Sequence, residues 1–177
     1  KALETLRLIP EKSWATPFIP MRMGSICMDL GDLNEAEKYL KKSLQRDPQN
    51  AKGHQLLMRL YLKKRAFREA AEVGLKTVGL RYFYPVAHHQ LGRALVGLRK
   101  YEQAEDAFKV ALSQSPGFLE AHQDLAEIYQ RFLKMPVKAE EHFRMANELI
   151  QKRGRPKDAI AESPARKMSG VEVTERE

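Results

Sequence analysis

Three histidines, His54, His88 and His122, stand 34 residues apart in this 177-residue chain, and that step constrains the fold more than any other feature. Other positions keep it. Leu57, Leu91 and Leu125 follow each histidine by three residues, and Tyr61, Leu95 and Tyr129 come four residues later. Ala36, Ala70 and Ala104 share the spacing, as do the more loosely alike Lys42, Lys76 and Val110. Pro48 and Pro116 are two steps apart, with Tyr82 midway between them. A fixed period of this length marks one supersecondary unit repeated in tandem. No single unit can bury its own apolar face, so the units must stack.

The unit reads as two amphipathic helices. Apolar residues recur at spacings of three and four, and alternating apolar/polar runs of the kind a strand needs are missing. Hydrophobic residues make up 43% of the chain, enough to bury a core. Leu, Ala, Lys, Arg, Glu and Gln, all good helix formers, dominate. The pattern predicts paired helices near 18–30 and 34–46, 51–64 and 67–80, 85–98 and 101–114, and 119–132 and 137–152. Asp32 and Asn34 suit the turn and helix start of the first pair. Residues 1–16 carry Leu3, Leu6 and Leu8 before Pro10, the pattern of a helix remnant followed by a linker. Residues 153–177 mix charges with Gly154, Pro156, Pro164 and Gly170 and are expected to be a disordered tail. The chain does not open on Met, which points to a processed product or a piece of something longer.

This arrangement resembles the tetratricopeptide repeat. The third unit, 85–118, carries the likeness best, in Leu91, Gly92, Leu95, Tyr101, Ala104, Phe108, Ala111 and Pro116. The first, 17–50, has Gly24, Gly31, Asp32, Leu33, Ala36, Leu40 and Pro48, with Cys27 where a large residue is usual. The second, 51–84, keeps Tyr61, Phe67 and Ala70 but exchanges sizes, with Met58 at the small position and Gly74 at the large one. The fourth, 119–152, keeps Ala126 and Tyr129 and needs one extra residue near Pro136 before Ala139, Phe143 and Ala146. The resemblance implies an all-α fold, a right-handed α-solenoid of antiparallel helix pairs, acting as a protein–protein interaction module.

The residues offer little to catalysis. There is no Gly-rich phosphate loop, no H-E-x-x-H pair and no G-x-S-x-G elbow. Cys27 is the sole cysteine, so neither an internal disulfide nor a thiolate zinc site is available. At most two of the three periodic histidines could reach one ion, and no carboxylate cluster completes a set. They are expected to be core histidines with hydrogen-bond partners, and Cys27 is expected to be buried. No enzyme activity, cofactor or metal is expected. With no secretory signal and no apolar run long enough to span a bilayer, a cytoplasmic setting without membrane contact is expected. The net charge of +8 favours an acidic partner.

In the resembled family the first helix of each unit lines a concave groove. That would place Phe18, Met21 and Met28 at an apolar end, then Lys52, Gln55, Arg59 and Lys63, then His89 and Arg93, then Gln123 and Glu127. Arg59 and Arg93 hold the same repeat position and suit a carboxylate or phosphate on a peptide. The family's carboxylate clamp for chaperone tails finds no match, since Met21, Ser25, Leu56, Val86 and Gln90 stand at its positions. Two other readings remain. Arg153, Gly154, Arg155 and Pro156 resemble the core of an AT-hook, which lies in the minor groove of A·T-rich DNA. Tyr84 to His88 and the stretch through His122 look faintly like repeats that trail alkaline-phosphatase-type phosphodiesterases, implying a regulatory module of a larger bacterial enzyme.

Overall fold

The computed structural model describes residues 16–154, together with Glu4, Thr5, Leu8 and Pro10. The expected N-terminal remnant and charged tail therefore lie largely outside the described residues. Within them run eight helices: α1 (Phe18–Asp29), α2 (Leu33–Arg46), α3 (Ala51–Lys63), α4 (Phe67–Leu80), α5 (Pro85–Gly97), α6 (Tyr101–Gln114), α7 (Leu119–Arg131) and α8 (Pro136–Gly154). Each follows its expected span to within a residue or two.

Local chemistry starts and stops them. The Asp32 carboxylate accepts from the Glu35 amide at 3.1 Å, and the Asn50 side chain accepts from the Gly53 amide at 2.8 Å, capping α2 and α3. Pro85 opens α5, where its missing N–H costs nothing. The inner helices α1, α3 and α5 end alike. Asp32, Ala66 and Lys100 donate their amides to the carbonyls of Cys27, Tyr61 and Leu95, each at 2.9 Å. The residue between helix and bond takes a left-handed conformation: Gly31 in the first turn (φ 85°), then Arg65 (58°) and Arg99 (59°). Glycine occupies that conformation freely, while a side chain there costs about 1 kcal/mol. In the fourth pair the left-handed residue is Lys134 (φ 55°), one place late, and the Met135 amide reaches back to Tyr129. The extra residue anticipated near Pro136 is thus absorbed in the turn between α7 and α8.

Helices pack as antiparallel pairs, α1 with α2, α3 with α4, α5 with α6 and α7 with α8, and each pair leans on the next. The inner helices also touch one another in series, α1 to α3 to α5 to α7, whereas the outer helices α2, α4, α6 and α8 do not meet. Close spacing on one side and wide spacing on the other curves the stack, so the inner row forms a concave face.

Small residues set the spacing within pairs. A Cβ on Gly24 would lie 2.7 Å from Leu40, and one on Gly92 would lie 2.5 Å from the Phe108 ring. The second pair makes the same contact with sizes exchanged: a Cβ on Gly74 would lie 2.8 Å from the Met58 sulfur. Its departure from the pattern is therefore a compensated swap. Phe143 holds the matching repeat position in the last pair, but it is 41% exposed. Phe108 is covered by Leu125, Ile128 and Tyr129 of the pair that follows, and no described element follows α8 to cover Phe143.

The periodic histidines are core residues with partners. His54, His88 and His122 are buried, and their Nε2 atoms meet the carbonyls of Pro48, Tyr82 and Pro116 at 2.8, 2.8 and 3.0 Å. A carbonyl only accepts, so each ring carries its proton on Nε2. Each histidine ties an inner helix to the loop six residues before it, which explains why Pro48, Tyr82 and Pro116 share the period. Cys27 is fully buried.

One histidine has a second role. His122 Nδ1 lies 2.8 Å from His142 Nδ1, across α7 and α8. Since His122 carries its proton on Nε2, neutral His142 donates from Nδ1. Protonating both rings would set two N–H groups and two charges against each other. Burial first, and the neighbouring His122 second, hold the His142 pKa below its ordinary value, outweighing Glu141 and Glu105. Lys109 works in the same direction as His122. Burial likewise lowers His54. The unfolded chain takes these protons near pH 6.5, and the folded chain takes them only at lower pH. This contribution to stability is therefore complete above about pH 6.5 and is lost as pH falls below it. We expect the denaturation midpoint to drop between pH 7.5 and 5, and the drop to shrink in His142→Gln. A midpoint that stays flat across this range would refute the paired tautomer.

Candidate functional site

The concave face is built by residues that repeat from one inner helix to the next. Gln55 Nε2 on α3 donates to Gln90 Oε1 on α5 at 3.0 Å. His89 Nε2 on α5 meets Asp124 Oδ2 on α7 at 2.8 Å. Both links join residues 35 apart at the same repeat positions, so they are successive rungs of one ladder. At the preceding rung Met21 packs against the apolar cluster that includes Leu56. Lys52 and Tyr84 add to the middle rung, their Nζ and OH reaching Gln55 Oε1 at 2.9 and 3.4 Å. The last rung is walled by rings, with His89 centred 4.8 Å from Phe118 and 5.5 Å from Phe108.

These bonds divide the residues anticipated from sequence. Gln55 and His89 are buried between helices and engaged with Gln90 and Asp124, so both join neighbouring inner helices. Met28 is fully buried in the core and offers the groove no surface, whereas Phe18 is exposed and Met21 half-buried. The amphipathic turn of α1 carries Met28 onto its inward side. Lys63 is exposed and donates to the Met28 carbonyl at 3.3 Å. Gln123 and Glu127 are exposed on α7, Glu127 beside Arg131 at 2.7 Å. Arg153 and Gly154 end α8, while Arg155 and Pro156 lie outside the described residues.

Arg59 and Arg93 remain available at the surface. Their side chains are 38% and 59% exposed, and among the described residues each has only a loose acid: Asp29 at 3.9 Å from Arg59, Asp124 at 3.9 Å from Arg93. The Arg59 Nε is buried and has no hydrogen-bond partner among the described residues. Burial first, then the charge of Arg59, lowers the pKa of Lys52, as expected where cations crowd one face. Asp124 escaped the sequence reading. The 35-residue step from His89 was the signal that would have found it.

Beyond Arg93 the face opens into a cleft of about 750 Å³ between α5, α7 and the turns at Arg65 and Arg99. Among the described residues no group of three or more His, Cys, Asp or Glu is placed to hold a metal ion, and no helix is long and apolar enough to cross a membrane.

Comparison with known proteins agrees with this geometry. A tetratricopeptide repeat family model matches residues 28–73 and a second matches residues 86–118. Among solved structures, MamA (residues 41 to the end) from Desulfovibrio magneticus RS-1 is 24% identical with a TM-score of 0.79, over 87% of this chain and 86% of that one. A crystal structure of MamA is 22% identical with a TM-score of 0.77, over 86% of this chain and 88% of that one. At these identities the likeness speaks for the fold. With the 34-residue step, the antiparallel pairs and the small-on-large contacts, the matches show that the chain carries tetratricopeptide repeats, at 28–73 and 86–118, the repeat type of protein–protein interaction modules.

Proposed function

We propose that the protein acts as a non-catalytic scaffold or adaptor that holds an extended peptide or protein segment on its concave face. In this reading four repeats, 17–50, 51–84, 85–118 and 119–152, present one continuous groove. Arg59 and Arg93 meet acidic groups of the partner, with Lys52 and Lys63 beside them and Gln123 and Glu127 at the far end. The observation that carries the reading is the pair of guanidiniums at one repeat position, Arg59 half-buried and Arg93 exposed, each held among the described residues only by an acid 3.9 Å away. A ligand carboxylate can approach closer than either acid and form the paired bonds a guanidinium offers.

The test uses the immobilised full chain against an array of extended peptides that are acidic, neutral or basic. Acidic peptides are expected to be retained. Arg59→Ala and Arg93→Ala are each expected to weaken retention by roughly tenfold, the cost of losing a charged contact at an interface rim or edge. Arg68→Ala, on the outer helix α4 with its side chain 86% exposed, should change nothing. Equal retention by both inner-face variants and this control would move the binding surface elsewhere. Retention of duplex DNA in preference to every peptide, with a steep loss on adding salt, would favour the segment at 152–157 instead.

A further inference from the structure

The left-handed turn residues raise a question the groove does not answer. The first turn uses Gly31, whereas the next two use Arg65 and Arg99 in the same strained conformation, with φ of 58° and 59°. Strain kept at equivalent positions, with the same side chain, asks what that side chain does. Both arginines line the 750 Å³ cleft, together with Arg93. The acids of the cleft are already engaged: Asp124 with His89 at 2.8 Å, and Glu127 with Arg131 at 2.7 Å. The Arg65 and Arg99 side chains are exposed and form no ion pair or hydrogen bond among the described residues. The cleft thus holds a surplus of positive charge.

Its floor is apolar. Tyr101 and Phe132 stack nearly parallel, with centroids 4.1 Å apart and an interplanar angle of 7°, and Phe132 remains partly exposed. Val96 and Ile128 complete the wall between α5 and α7. Unpaired guanidiniums around a ring floor match a ligand that carries carboxylates on either side of an aromatic or large apolar side chain.

We propose that this cleft, at the turn edge of the stack, binds an acidic peptide segment, its carboxylates meeting Arg65 and Arg99 and its apolar side chain lying on the Tyr101–Phe132 floor. The inference rests on the peptide-binding reading of the inner face and adds a site that meets the row of Arg59 and Arg93 at Arg93 alone. A basic residue at these positions also suits the negative ends of α3 and α5, so a purely structural role must be distinguished.

The test uses the full chain and a fluorescein-labelled peptide with one phenylalanine flanked on each side by two glutamates, read by fluorescence anisotropy at physiological salt. Binding is expected, with a drop of about tenfold or more in affinity when glutamines replace the glutamates or alanine replaces the phenylalanine. The double variant Arg65→Gly and Arg99→Gly is expected to lose binding by about tenfold or more while its melting temperature holds or rises, because glycine relieves the left-handed strain. A structural role alone would leave binding intact. Arg59→Gln, which is not part of the cleft lining, should keep the short probe even where it loses the longer array peptides. The proposal is overturned if the wild-type chain ignores the probe, if the glycine variant retains it, or if Arg59→Gln loses it equally. Displacement by duplex DNA as readily as by unlabelled peptide would also overturn it. Failure of the probe with array peptides still held through Arg59 would remove the cleft and leave the groove reading standing.

Discussion

Phe108→Ala is expected to destabilise the fold by about 3–5 kcal/mol, the usual range for removing a buried aromatic ring. Phe108 is fully buried, lies against Gly92 within its own pair, and joins Leu125, Ile128 and Tyr129 of the next. It therefore holds both an intra-pair and an inter-pair contact, and in a stacked array stability is close to a sum of such terms. The partner position makes the claim sharper. A Cβ at Gly92 would lie 2.5, 2.7 and 2.9 Å from three atoms of the rigid ring. Gly92→Ala alone should cost about 1–3 kcal/mol through overpacking. On the Phe108→Ala background the same change should be neutral or stabilising by up to about 1 kcal/mol, since alanine favours the helix once the ring is gone. Urea denaturation of the four proteins gives the coupling directly. Additive costs would mean that the two residues do not meet as described.

Tyr129→Leu is expected to cost about 2–4 kcal/mol, combining lost volume with an abandoned hydrogen bond. The Tyr129 hydroxyl donates to Glu105 at 2.7 Å, and Glu105 also pairs with Lys109. Burial and the bonded Glu105 both raise the Tyr129 pKa, so the hydroxyl stays protonated as the donor. Two steps earlier the chain repeats the set: Tyr61 donates to Glu37 at 3.1 Å, and Glu37 pairs with Lys41 at 2.7 Å. The Lys41 and Lys64 bonds hold the Glu37 pKa at about 2, against the opposing effect of burial. At the step between, all three positions turn apolar together, as Ala71, Leu75 and Leu95. The chain thus contains both a polar and an apolar version of one interface. Adding Glu105→Ala and Lys109→Leu to Tyr129→Leu should recover most of the loss, because no buried charge is then left without its partners. A triple variant as unstable as the single one would show that the two versions are not interchangeable.

How much of this was legible beforehand varies with the length scale of the physics. Helix spans followed from three- and four-residue periodicity, and caps such as Asp32 from local hydrogen bonding, both of which act within one turn of chain. Stacking followed from the 34-residue step, because identical units meet identical neighbours. The core role of His54, His88 and His122 was legible for the same reason, though the carbonyls they reach were visible only as the unexplained period of Pro48, Tyr82 and Pro116. The size exchange at Met58 and Gly74 looked like a defect while positions were read singly, and became a matched contact once α3 lay against α4.

The candidate site was less legible. Sequence placed Gln55, Arg59, His89 and Arg93 on one face, since all fall at two repeat positions of the inner helices. Tertiary structure then divided them. Gln90 lies where α5 approaches α3 and Asp124 where α7 approaches α5, and they take Gln55 and His89 out of the surface, leaving Arg59 half-buried and Arg93 exposed. The turn arginines were invisible as a pair, because their backbone strain and the cleft they border exist only in three dimensions. Periodicity specifies which side of a helix a residue occupies. Whether that side chain is spent on a neighbouring helix or remains for a partner depends on distances between residues 35 apart in sequence, which the curvature of the packed stack sets.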